Sequence, residues 1–158
     1  MKLTHFLSNE LMSLMKEQIS ISNTQQTRNS CAAAIIRATK SGIFEFVFEM
    51  LKVDPQFVWF GDASSANIFS VAVQYRRANV FSLIYGDNMI GSLARGVDRC
   101  YSNNLLHKAG MSAPSTSLND IPGAALKMQR ELQWFKVISL TFNFLVFNYW
   151  LYVQLNNY

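Results

Sequence analysis

Apolar residues near the N-terminus fall at Leu3, Leu7, Leu11, Leu14 and Met15, interrupted by Asn9 and Glu10. That spacing predicts one amphipathic helix over residues 3–20 and argues against a secretory leader. The stretch SISNTQQTRNS at 20–30 is polar and predicts a loop or linker. Helical periodicity resumes at Cys31 and runs to about Lys52, with Gly42 breaking it into two helices joined by a turn. Asp54-Pro55 ends the second of them, because a residue before proline avoids the helical region. Asp62-Ala63-Ser64-Ser65 reads as a turn, and 67–75 and 77–85 as a second helix pair. Residues 86–104, with three glycines, are loop-like; 105–111 start another helix, and 111–122 return to loop. AALKMQRELQWFK at 124–136 is a strong helix former, and no strand pattern precedes residue 137.

Three short pieces of this pattern superpose. Ala38 in IIRA, Ala72 in FSVA and Ala109 in LHKA each have a bulky apolar residue three positions earlier, at Ile35, Phe69 and Leu106. The alanines lie 34 and then 37 residues apart. Downstream, Phe46, Val47, Met50 and Leu51 match Val80, Phe81, Ile84 and Tyr85 at the same offset of 34. A period in this range predicts stacked helix pairs, because one pair cannot bury its apolar face alone. The small alanine belongs where two antiparallel helices cross. Gly42 belongs in the turn between them, where a positive φ costs glycine little.

These pieces resemble the ankyrin repeat, with its L-H-x-A core and turn glycine. The finer resemblance is to plant ankyrin-repeat membrane proteins that carry a C-terminal PGG-type domain. It is carried by SGIFEFVFEMLKVDP, NIFSVAVQYRRANVFSLIYG, SNNLLHKAG and GAALKMQRELQWFK, which with the opening KLTH span most of residues 2–136. The resemblance implies an all-α fold: a short ankyrin-type solenoid with flanking helices and an apolar C-terminal tail. It divides the chain into a capping helix and linker (1–30), degenerate repeats (31–122, in units of about 31–61, 62–97 and 98–122), a linker helix (123–136) and the tail (137–158). It gives Ala38, Gly42, Ala72, Leu106, His107 and Ala109 structural roles in the repeats. His107 is expected to begin a first helix and bond to backbone. The repeats are degenerate: Ser65 and Ser102 stand at hairpin tips where glycine is usual, Arg76 replaces the turn glycine, and Ser70 and Ile36 occupy the histidine slot.

The tail VISLTFNFLVFNYWLYV (137–153) carries no charge. As a helix it would span roughly 25 Å, slightly short for a bilayer core. Its Phe, Tyr, Trp and Val content also fits a buried or aggregation-prone strand. The abrupt end of the resemblance after Lys136 admits a third reading, translation of an unspliced intron. Lys127, Arg130 and Lys136 precede the tail and no basic residue follows it, which would place the repeats on the cytosolic side of a membrane. Without an anchor the chain would be cytoplasmic.

Composition narrows the function. The chain has 158 residues, half of them apolar and 15% charged, enough for one packed domain. Its net charge of +4 is scattered, and Arg76-Arg77 is the one adjacent basic pair, so no nucleic-acid partner is expected. Cys31 and Cys100 stand 69 positions apart, which suits reduced thiols better than a disulfide framework or a zinc site. No nucleophile is paired in sequence with a base and an orienting group, so the chain reads as no enzyme; a Cys100–His107 hydrolase is the weak alternative. No cofactor is implied. The expected activity is protein binding by a non-enzymatic adaptor, which the resemblance links to membrane-associated stress or defence signalling in plants. Gln74, Tyr75, Arg76 and Arg77, taken as exposed at a helix end, are the candidate contacts for an unknown protein partner. The competing reading is a membrane protein whose activity lies in a transmembrane domain that this chain lacks.

Overall fold

The computed structural model describes residues 10, 12–17, 25–62, 67–86, 102–114 and 123–156, and every regular element among them is helical. The elements are α1 (Gln25–Ser41), α2 (Phe44–Val53), a 3-10 turn (Pro55–Trp59), α3 (Ile68–Gln74), α4 (Ala78–Phe81), a second 3-10 turn (Ser82–Gly86), α5 (Leu105–Gly110) and α6 (Ala124–Asn156). Residues 10 and 12–17 are also helical, within the N-terminal helix expected over 3–20; the rest of that stretch lies outside the described residues, as do Ser65, Cys100 and most of the 86–104 loop.

The helices pack in two rows. The first helices of the successive pairs touch, α1 on α3 and α3 on α5, and the second helices touch, α2 on α4. α1 buries Cys31, Ala32, Ile35, Ala38 and Thr39, a stripe repeating every three to four residues. α2 meets it with Phe46, Val47 and Met50. α3 is buried along Ile68–Val73 and forms the centre of the core. Val80 and Phe81 of α4, Ile84, Leu105 and Ala109 close the far side.

Three expectations are corrected. The polar stretch 20–30 is helical from Gln25, because tertiary bonds hold it. Arg28 donates to Asp54 Oδ2 at 2.7 Å and to Gln56 Oε1 at 2.8 Å, and no glycine or proline interrupts it. The helix expected over 77–85 is one short α-helical turn that tightens into 3-10 geometry. The tail is neither a separate segment nor a strand. α6 runs unbroken through Lys136 for 33 residues, about 50 Å. Trp134, Ile138, Thr141, Phe142 and Leu145 form one helical stripe, with Ile138 and Leu145 wholly buried in the core and Trp134 and Phe142 packed against it. Packing on this side overrides the strand preference of the tail's composition. No helix among the described residues is long and apolar enough to cross a membrane.

Candidate functional site

The alanines and turns of the first two pairs share one backbone geometry. After α1, Gly42 takes φ +79°, its N–H donates to Thr39 O at 3.1 Å, and Ile43 N–H donates to Ala38 O at 2.9 Å. After α3, Arg76 takes φ +60°, its N–H donates to Val73 O at 3.2 Å, and Arg77 N–H donates to Ala72 O at 2.8 Å. Each bond in one turn has its counterpart 34 residues on. Both turns are helix C-caps closed by a left-handed residue, which satisfies the last carbonyls of the helix. Ala38, Ala72 and Ala109 are all buried, at 6%, 0% and 3% exposure, and Leu106 packs half-buried against the core.

The helix starts repeat at the wider spacing. Asn67 caps α3, its Oδ1 accepting from Ser70 N–H at 2.8 Å. Asn104 caps α5, its Oδ1 accepting from His107 N–H at 3.1 Å. His107 returns the bond: its Nδ1 stands 3.2 Å from Asn104 N–H and 2.8 Å from Asn104 Oδ1. With Nδ1 bare the ring accepts from the backbone, and with Nδ1 protonated it donates to the amide oxygen. His107 is thus one half of a capping box. Ser102 stands just before it at φ +53°, the conformation a tip glycine would adopt.

The four candidate contact residues are not the exposed patch that the sequence suggested. Gln74, Tyr75, Arg76 and Arg77 are all half-buried, because the turn they form is covered on both sides. Arg77 reaches back, its Nε donating to Lys40 O at the end of α1 at 2.7 Å. Arg76 reaches forward. Its Nε donates to Glu131 Oε1 at 3.0 Å and its Nη2 pairs with Glu131 Oε2. Nη2 also meets the carbonyls of Ala109 and Met111 at the end of α5, and Nη1 bonds Val73 O at 2.9 Å. One guanidinium therefore caps α3 and α5, where the helix dipoles favour a cation, and holds α6 by a bidentate carboxylate pair. Tyr75 lies under Lys40, whose ammonium is 5.2 Å from the ring centroid and 2.7 Å from Asp62 Oδ2. Burial opposes the Lys40 charge, but the Asp62 bond and the Tyr75 contact outweigh it and raise its pKa above the ordinary lysine value.

Reasoning from sequence missed Glu131, Trp134, Asn67 and Asn104. Trp134 Nε1 donates to Val73 O at 3.2 Å, and its ring meets Phe81 edge-on at 6.3 Å. The two asparagines had a legible signal, each standing three residues before the slot shared by Ser70 and His107. Glu131 had none, since its partner lies 55 positions away.

Among the described residues the candidate chemical groups are few. Burial pushes the Cys31 thiol up in pKa, which keeps it protonated and inert at neutral pH. Cys100 of the Cys–His alternative lies outside the described residues. Among the described residues no group of three or more His, Cys, Asp or Glu could hold a metal ion. No family model, curated protein or solved structure matches the chain.

Proposed function

We propose that this protein is a non-enzymatic interaction scaffold built on a short, degenerate ankyrin-type stack. The observation that carries the reading is the 34-residue recurrence of one left-handed C-cap, at Gly42 and at Arg76, with a buried alanine four positions before each. Stacked helix pairs of this kind bind proteins through the outward side of their first helices and the tips that precede them. Here α3 offers nothing to a partner, being buried from Ile68 to Val73. The outward positions lie on α1, where Gln26, Asn29, Ala33 and Arg37 are exposed, and at the tip before α5, where Ser102 is exposed. The family resemblance supplies the setting: a plant cell, with stress or defence signalling at the cytosolic face of a membrane or in the cytoplasm.

Photo-crosslinking tests this reading. A crosslinking residue at position 37 or 102 of the full chain, expressed in plant cells, should give discrete protein adducts. The same residue at Glu45, exposed on the second-helix row, should give none of them. Equal adduct patterns at all three positions would contradict a directed binding face.

A further inference from the structure

α6 has a second apolar stripe that the body leaves uncovered. Val137, Leu140, Phe144, Phe147 and Leu151 follow one another at intervals of three, four, three and four residues. They are 51%, 72%, 59%, 59% and 40% exposed. At 100° per residue this line runs well away from the stripe of Ile138, Thr141 and Leu145 that seats α6 on the core. The alternating interval is that of a helix–helix seam, in which each side chain enters a hole on a facing helix. No charged residue lies between Val137 and Asn156. A partner must therefore bring an equally uncharged stripe, and the chain's own α6 is one.

We infer that this stripe is a self-association seam, pairing α6 with α6 of a second copy in parallel about a two-fold axis. The area suffices. An aromatic side chain carries ~150–250 Å², so Phe144, Phe147 and the flanking Trp150, 55% exposed, present about 300–400 Å² between them. The aliphatic positions raise this to about 500–600 Å² per copy, so a pair can bury at most about 1,000–1,200 Å² in total, which reaches the lower bound of roughly 1,000 Å² for a specific interface. Polar residues flank the seam in matching register. With Val137, Phe144 and Leu151 in the first core position of a seven-residue repeat and Leu140 and Phe147 in the fourth, Asn143 and Asn148 fall on opposite flanks. In a parallel pair, Asn143 of one copy faces Asn148 of the other. Both are exposed. Asn148 directs its Nδ2 to Phe144 O at 2.8 Å, which leaves its Oδ1 to accept from the facing amide.

Sedimentation equilibrium of the full chain tests the seam. The wild type should weigh twice the 18.0 kDa of one chain. Leu140→Lys with Phe147→Lys should return it to a single chain while its circular dichroism stays helical. Val146→Lys, an exposed position off the seam, should leave the dimer intact. If the lysines unfold the chain, a charge swap decides. Asn143→Lys with Asn148→Glu should tighten the dimer several-fold over Asn143→Lys alone, since the two positions face each other only between copies. A single-chain mass for the wild type at tens of micromolar would overturn the inference, whether or not the protein pellets with anionic lipid vesicles. So would a double-lysine variant that remains dimeric, or a charge swap without effect.

Discussion

The turns at Gly42 and Arg76 adopt one conformation with opposite kinds of residue. Gly42 has no side chain to clash, and the space its Cβ would enter is filled by Arg77 Cδ at 3.0 Å. Arg76 carries a Cβ into a left-handed conformation that costs an ordinary L-residue about 1–2 kcal/mol. Its guanidinium offsets that cost with bonds to the ends of α3 and α5 and to Glu131 of α6. The first turn holds its shape by local backbone preference, and the second by tertiary contacts. Helix register sets where a left-handed cap must fall, and what residue fills it depends on what surrounds the turn.

The largest expected effect breaks the second turn at its side chain. Arg76→Ala retains the strained φ, removes the clamp and leaves Glu131 unpaired, for a loss of about 2–4 kcal/mol in urea unfolding. Arg76→Gly loses the same bonds but relieves the strain, so it should unfold about 1 kcal/mol later than Arg76→Ala. Equal losses would mean that the left-handed backbone carries no cost there. At the first turn, Gly42→Ala should cost about 1–2 kcal/mol, from φ and from displacement of Arg77, read as a lower urea midpoint with an unchanged slope.

Smaller effects separate the helix starts. Asn67→Ala and Asn104→Ala each lose a cap worth about 1 kcal/mol. The loss at the buried Asn67 should exceed that at Asn104, and thermal melts of the two variants side by side would show the order. Least affected at neutral pH is Glu49→Gln. Glu49 is held at a pKa of about 2, against an ordinary 4.5, by hydrogen bonds from Lys16 and then Lys52. A depressed carboxylate contributes stability above its unfolded pKa and loses it as pH falls toward the folded one. The wild-type melting temperature should therefore fall between pH 4.5 and pH 2 more steeply than that of the glutamine variant, so that a small wild-type advantage at pH 7 closes as the carboxylate protonates.

Local signals in the sequence were sufficient for the helical class, the Gly42 break and the Asp54-Pro55 stop, because each depends on residues within one turn of helix. The reading of 25–30 as loop failed where polar composition met partners 26 and 28 positions away, at Asp54 and Gln56. The strand reading of the tail failed for the opposite reason. Aromatic and β-branched composition pointed to a strand, while Ile138, Thr141 and Leu145 already stood at helical spacing for the core. Arg76 was visible as a residue in a glycine slot, but its clamp was not, since Glu131 is far off in sequence. Exposure at 74–77 was inferred from polarity alone, which says nothing of the carbonyls and carboxylate that surround those side chains.

The most direct test of the tertiary hold on the second turn is a double-mutant cycle on Arg76→Ala and Glu131→Ala, by urea unfolding. The expected coupling is at least about 1 kcal/mol, with the double variant losing less than the sum of the single losses. Additive losses would contradict the account, because the left-handed Arg76 would then be held by something other than its grip on α6.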